Sequence, residues 1–201
     1  MKKIITALAV IICANFVLAQ APGCPSIDAG SNDTIDCYSD PCVELVPTFH
    51  QTGETTTYAV DSIPYAPPFP FTGGTSIFIG IDDIFSDTIQ LPFEFCFFGN
   101  TYDYVMVGAN GLLSFDIANA GGFCAWAFTD PIPTNNVGGV PYPNSINGAY
   151  HDLDPSVFGD INYAVLGAYP CRTFVVSFDN VAHFDCNTIS TTQQIVLYET
   201  T

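Results

Sequence analysis

Residues 88–98 alternate with a period of two. Ile89, Leu91, Phe93, Phe95 and Phe97 fall on one side, and Gln90, Glu94 and Cys96 on the other. That is the signature of a strand with one face in a core. No helical period of similar strength occurs after the first twenty residues. Short β-branched and aromatic runs recur instead, cut by Gly, Pro, Asn and Asp, at 34–36, 43–46, 55–60, 76–81, 104–107, 112–115, 161–166, 173–178 and 193–198. Roughly ten short strands without a long helix predict an all-β fold, an antiparallel β-sandwich with an N-terminal hairpin appendage. Asn110-Gly111 is read as the positive-φ pair of a tight hairpin. The loop-rich stretch 121–148 carries Pro131, Pro133, Pro141 and Pro143.

The segment 63–72 holds Pro64, Pro67, Pro68 and Pro70 among aromatic residues. It must be extended and polyproline-like, because proline cannot join a central ladder. We read it as a rigid strap over a sheet edge, with Phe69 and Phe71 turned inward. The alternative is a ligand-contact surface, with Tyr65, Phe69 and Phe71 offering rings to sugars or peptides.

The N-terminus reads as an export signal. Met1-Lys2-Lys3 precedes an apolar run over 4–18, and Val17-Leu18-Ala19 suits cleavage after Ala19. Cleavage after Ala21 is the near alternative. The run is too short for a permanent anchor, and no second stretch is long enough to cross a bilayer. The expected division is a signal peptide at 1–19, a hairpin segment at 20–60 and the sandwich at 61–201. A strand ending so close to Thr201 leads us to expect a partner strand beyond it.

Charge narrows the partners. With Lys2 and Lys3 in the signal, Arg172 alone faces twenty carboxylates. Nucleic acid and anionic membranes need Lys and Arg to meet phosphate, so both are excluded as partners. The carboxylates must be solvated, bonded to backbone N–H groups or neutralised by cations. At 48 % hydrophobic and 11 % charged residues, the chain is a folded domain rather than an acidic tail. Arg172 is expected to pair with a carboxylate, Asp152 being a candidate.

In an exported chain, cysteines point to disulfides. Cys37 and Cys42 flank a four-residue loop and are expected to pair. Cys96, Cys124, Cys171 and Cys186 allow two more bridges in three arrangements, and Cys24 is left over. No Cys-x-x-Cys pair supports a thiolate metal site.

For a metal the leading candidate is Asp152 with Asp154, which point to one side of an extended segment, together with Asp160. Such carboxylates with loop carbonyls suit Ca²⁺. The alternative is a solvated, turn-capping pair. A weaker Ca²⁺ candidate is Asp82 and Asp83 with Asp87. His50, His151 and His183 match no metal-binding spacing and are read as separate, surface or hydrogen-bonded rings.

A family resemblance rests on an ordered succession of motifs. These are Leu91-Pro92-Phe93, Phe98-Gly99 with Tyr102, Asn110-Gly111-Leu112-Leu113-Ser114-Phe115, His151-Asp152-Leu153-Asp154-Pro155, Gly159-Asp160-Ile161-Asn162-Tyr163, Phe174-Val175-Val176 and Gln194-Ile195-Val196-Leu197-Tyr198-Glu199. From 82 to 201 this resembles the nidogen-like extracellular β domain. It also resembles modules near the N-termini of long surface proteins of gliding bacteria with type IX secretion. The chain departs from the animal pattern at Phe178, where Trp is usual before the Asn-Val pair, and in its additional cysteines. The resemblance implies a β-rich, extracellular domain associated with adhesion, and brings no catalytic residues. Asp33-Thr34-Ile35, Asp61-Ser62-Ile63 and Asp87-Thr88-Ile89 fit the O-glycosylation acceptor pattern of those bacteria.

Searching for a nucleophile elbow, a His-Glu-x-x-His helix or a phosphate loop gives nothing. The expectation is therefore a secreted, non-catalytic cell-surface adhesion or recognition module, Ca²⁺-stabilised, with a glycan or protein ligand. The alternatives are a structural spacer in a larger surface protein or a carbohydrate-active accessory domain.

Overall fold

The computed structural model describes residues 26–28, 46–50, 60–77, 81–127 and 142–199. Ten strands occur among them: β1 (Ser26–Asp28), β2 (Thr48–His50), β3 (Thr75–Ser76), β4 (Ile89–Phe97), β5 (Asn100–Gly108), β6 (Leu112–Ser114), β7 (Ser145–Asn147), β8 (Asp160–Leu166), β9 (Thr173–His183) and β10 (Cys186–Tyr198). β1 pairs with β2. The other eight form two four-stranded antiparallel sheets, β4-β5-β6-β7 and β10-β9-β8-β3. The expected all-β sandwich is what the chain forms. The hairpin arms at 34–36 and 43–45 and the Cys37–Cys42 pair lie outside the described residues, as do 55–59 of the expected strand at 55–60.

The alternation of β4 puts Ile89, Leu91, Phe93 and Phe95 in the core. Pro92 is tolerated because β4 is an edge strand whose register with β5 shifts between Gln90 and Phe95. Against this face pack Phe174, Val176 and Phe178 of β9, Ile161 of β8, and Ile195 and Leu197 of β10. Each fully buried Phe contributes about 1.5–3 kcal/mol of transfer free energy. Phe115 binds the hairpin end of β4 and β5, its ring 5.5 Å from Phe95, 4.9 Å from Phe97 and 4.8 Å from Tyr102.

The first sheet is covered on both sides. Phe85, Met106, Leu112 and Cys124 form a second buried cluster, closed by Ala120, Tyr142 and Tyr150. This explains why β6 and the end of β5 are buried at every position.

Two hairpins are longer than their sequence pattern. β5 begins directly after Phe98-Gly99, which take φ 47° and 78° in a two-residue turn. β9 and β10 run on through the polar stretch 179–192, with Asn180 at φ 53° where the register shifts. The three-residue β7 lies in the stretch expected to be loop.

The strap does not cover an edge. Asn162, Ser177 and Gln194 align across β8, β9 and β10 on the face turned away from the core. Gln194 Nε2 donates to the carbonyls of Phe69 and Pro70 (3.3 Å each) and to Ser177 Oγ (3.0 Å). Asn162 Nδ2 donates to the Phe71 carbonyl at 2.9 Å. The strap therefore crosses three strands on their outer face, pinned by a row of amides. Phe69 and Phe71 are half-buried and Tyr65 is 80 % exposed.

The two bridges expected among Cys96, Cys124, Cys171 and Cys186 do not form. Cys96, Cys124 and Cys186 carry free thiols. They stand on an outward β4 position, in the second buried cluster and at the β9–β10 hairpin, so no two share a site. Cys171 is disulfide-bonded.

Candidate metal centre

Two loops build the site. The first, residues 81–87, is held along the second cluster by backbone bonds from Cys124 N to the Asp83 carbonyl and from Ala109 N to the Ile84 carbonyl, 2.8 and 2.9 Å. Asp83 takes φ 51°, a conformation Asp tolerates better than most residues. The second, residues 149–158, is tied to β9. Asp154 N donates to the Ala182 carbonyl at 2.8 Å, and Phe184 N to the Asp152 carbonyl at 3.1 Å.

Asn110 joins the two loops. It is fully buried, and its Nδ2 donates to Asp83 Oδ1 and to the Cys124 carbonyl, both at 2.9 Å. Its Oδ1 accepts from Leu153 N at 2.9 Å. The positive-φ residue of this hairpin is Gly111 alone, at φ 88°, where an added Cβ would stand 2.7 Å from the Ala149 carbonyl. Sequence reading took Asn110 as a turn former and missed this clamp. An amide beside an obligatory Gly, flanked by apolar strands, was the available signal.

The result is a carboxylate cluster. One oxygen each of Asp82, Asp83 and Asp152 lie within 4.8 Å of one another. Asp152 Oδ1 is buried and finds no hydrogen-bond partner among the described residues. Asp82 Oδ1 accepts from Asp83 N at 2.8 Å. Burial, then the charges of Asp83 and Asp154, lift the Asp82 carboxyl from 3.8 to about 6. Burial and the same two neighbours raise Asp152. Arg172, the one Lys or Arg beyond residue 3, is committed elsewhere. Its Nε and Nη2 grip the Glu199 carboxylate at 2.8 and 2.5 Å, and its guanidinium lies 5.8 Å from the Phe93 and Tyr169 ring centres. The expected Arg172–Asp152 pairing is thus replaced by Arg172–Glu199.

The two acidic groups expected from sequence are regrouped. Asp82, Asp83 and Asp152 converge. Asp154 is adjacent and 8 % exposed, its Oδ1 occupied by Ser156 N at 2.9 Å and by Ser156 Oγ. Asp160 stands apart at the start of β8, accepting from Ser76 Oγ and Asn162 Nδ2 at 2.8 Å each. Asp87 is exposed and is not in the cluster. His151 and His183, read as separate rings, meet beside it, with ring centres 4.3 Å apart. Burial and the neighbouring His151 lower the His183 pKa.

A second concavity, of about 340 Å³, lies where the strap meets β10. Tyr65, Pro67, Phe71, Gln194 and Val196 are among its walls, and Phe69 is not.

Two facing antiparallel sheets with chemistry gathered in their connecting loops define a β-sandwich of the loop-presenting kind. The family described as NIDO related matches residues 57–201, and the chain belongs to this nidogen-related family. No curated protein and no solved structure gives a significant match. Among the described residues, no helix is long and apolar enough to cross a membrane.

Proposed function

We propose that this chain is an extracellular, non-catalytic adhesion or recognition module whose loop end is stiffened by Ca²⁺. Nidogen-related domains are extracellular, which supports the setting. The observation that carries the Ca²⁺ reading is the convergence of Asp82, Asp83 and Asp152 from two loops, with one buried oxygen left without a partner among the described residues. Calcium takes six to eight oxygens, so the carboxylates would be joined by carbonyls or water. Bridging the loops would fix their relative position and relieve mutual repulsion.

Ligand contact is assigned to the strap groove, where an exposed Tyr65 ring and proline faces suit a glycan or an extended peptide. In this reading residues 1–19 direct export, and the domain serves a longer surface protein of the type IX-secreted kind.

The test is a melting curve of the oxidised protein with Ca²⁺ and with chelator, alongside binding to a glycan and matrix-protein array. Identical curves would remove the Ca²⁺ site. A silent array would favour the spacer role.

A further inference from the structure

The geometry points to a second metal site, distinct from the carboxylates and of different chemistry. We propose that His151 and His183 bind one transition-metal ion of the zinc class through their Nε2 atoms.

The two Nε2 atoms stand 3.1 Å apart. Thr191 Oγ1 completes a triangle with them, 2.9 Å from His183 Nε2 and 3.1 Å from His151 Nε2. Two imidazole nitrogens on one tetrahedral zinc, at about 2.0–2.1 Å each, stand about 3.3–3.4 Å apart. A shift of a few tenths of an ångström brings this pair to that spacing. An ion at such distances from all three corners sits roughly 1 Å above their plane.

The independent observation concerns the far side of the His151 ring. Its Nδ1 lies 2.8 Å from the Ala149 carbonyl. A carbonyl only accepts, so Nδ1 carries the hydrogen and Nε2 of the neutral ring is a bare lone pair. An imidazole whose other nitrogen donates to a backbone carbonyl is the outer-shell arrangement typical of metal-bound histidine. Ala149 is itself fixed, since Gln193 Oε1 accepts from its N–H at 2.5 Å and Gln193 Nε2 donates to its carbonyl at 3.3 Å. His183 is fixed in the β9 ladder and bridged to Leu153.

The site is open on one side, both histidines and Thr191 being half-buried. Thr191 Oγ1 is the third protein atom within reach of the ion, and water would take the remaining position.

The full chain, freed of metal and kept in excess Ca²⁺ to occupy carboxylates, is titrated with Zn²⁺ by calorimetry. One equivalent is expected to bind, and His151→Gln and His183→Gln are each expected to weaken it at least tenfold. Undiminished binding in both variants overturns the assignment, because the ion then sits elsewhere. Failure of the wild type to bind Zn²⁺ overturns it as well. The unaltered protein gives a check that does not depend on a variant folding. Zn²⁺ is expected to protect His151 and His183 from carbethoxylation read by peptide mass spectrometry, and equal modification with and without Zn²⁺ refutes the site.

Discussion

Replacing Asp82 by Asn tests the carboxylate cluster most directly. Its carboxyl is lifted from 3.8 to about 6, first by burial and then by Asp83 and Asp154. A rise of about two units corresponds to about 3 kcal/mol between the protonation states. The group is partly open to solvent, and screening reduces this to about 1–1.5 kcal/mol. The folded state holds the proton more tightly than the unfolded chain. Stability therefore falls as pH rises from 3.8 to about 6, and the whole cost is present above that window. Asp82→Asn keeps an oxygen to accept from Asp83 N and removes the charge. Without metal at pH 7.5, the variant is expected to melt about 2–6 °C above wild type. If calcium binds as proposed, the ranking is expected to reverse: at about 10 mM, with an affinity of about 10⁻⁴–10⁻³ M, it would stabilise wild type by about 1.4–2.7 kcal/mol. The variant, lacking one ligand, is expected to lose most of that gain. Calorimetric melts at pH 5 and 7.5, with Ca²⁺ and with chelator, read all four quantities. A variant that melts lower than wild type without metal, or keeps the full Ca²⁺ response, would refute the reasoning.

Three other perturbations follow from the packing. Asn110→Ala leaves Leu153 N–H and the Asp83 carboxylate without their buried partner; urea unfolding should show a loss of about 2–4 kcal/mol, and Asn110→Asp should lose more, since it adds a buried negative charge beside Asp83. Arg172→Lys cannot reproduce the two-pronged grip on Glu199. Its melting temperature should drop, and because Glu199 is held below its ordinary 4.5 by Arg172, the difference from wild type should be full above pH 4.5 and fade as pH falls through the lowered value; a difference that is constant with pH would count against the pair. Gln194→Ala and Asn162→Ala free the strap carbonyls at a cost of about 1–2 kcal/mol each, so limited proteolysis should nick residues 60–75 faster, and an unchanged rate would show that the amide row does not hold the strap.

The sandwich was legible because its core strands carry it on one face at a time. The alternation of β4 and the apolar runs within β8, β9 and β10 gave the fold class and most of the core. Strand ends were less legible for local reasons. Phe98 adopts positive φ, which sequence rules reserve for Gly, Asn and Asp, so the start of β5 was hidden. Residues 179–192 are mostly polar, and register shifts around the buried Val181 and Ala182 break any alternation there.

The candidate site was half legible. Both acidic loops were picked out, but each was expected to form its own group. Leu153 inserts into the core, Asp154 turns back to Ser156 and Asp160 is held by Ser76, so Asp152 alone joins Asp82 and Asp83. The partition depends on how Asn110 stitches residues 83 and 153 together, and no local spacing encodes that. His151 and His183 are separated by 32 residues, and only the β9–β10 hairpin and its bridge to Leu153 bring them together.

The amide row under the strap has a mechanical consequence. Tension entering from the N-terminal side of residue 60 meets Gln194 before Asn162, and meets both before the β3–β8 pairing at Thr75 and Ser76. Because the strap runs across the strands, such a load peels weak bonds in succession instead of shearing a ladder. Under such a load the strap is expected to lift from the sheet before the β3–β8 pairing opens.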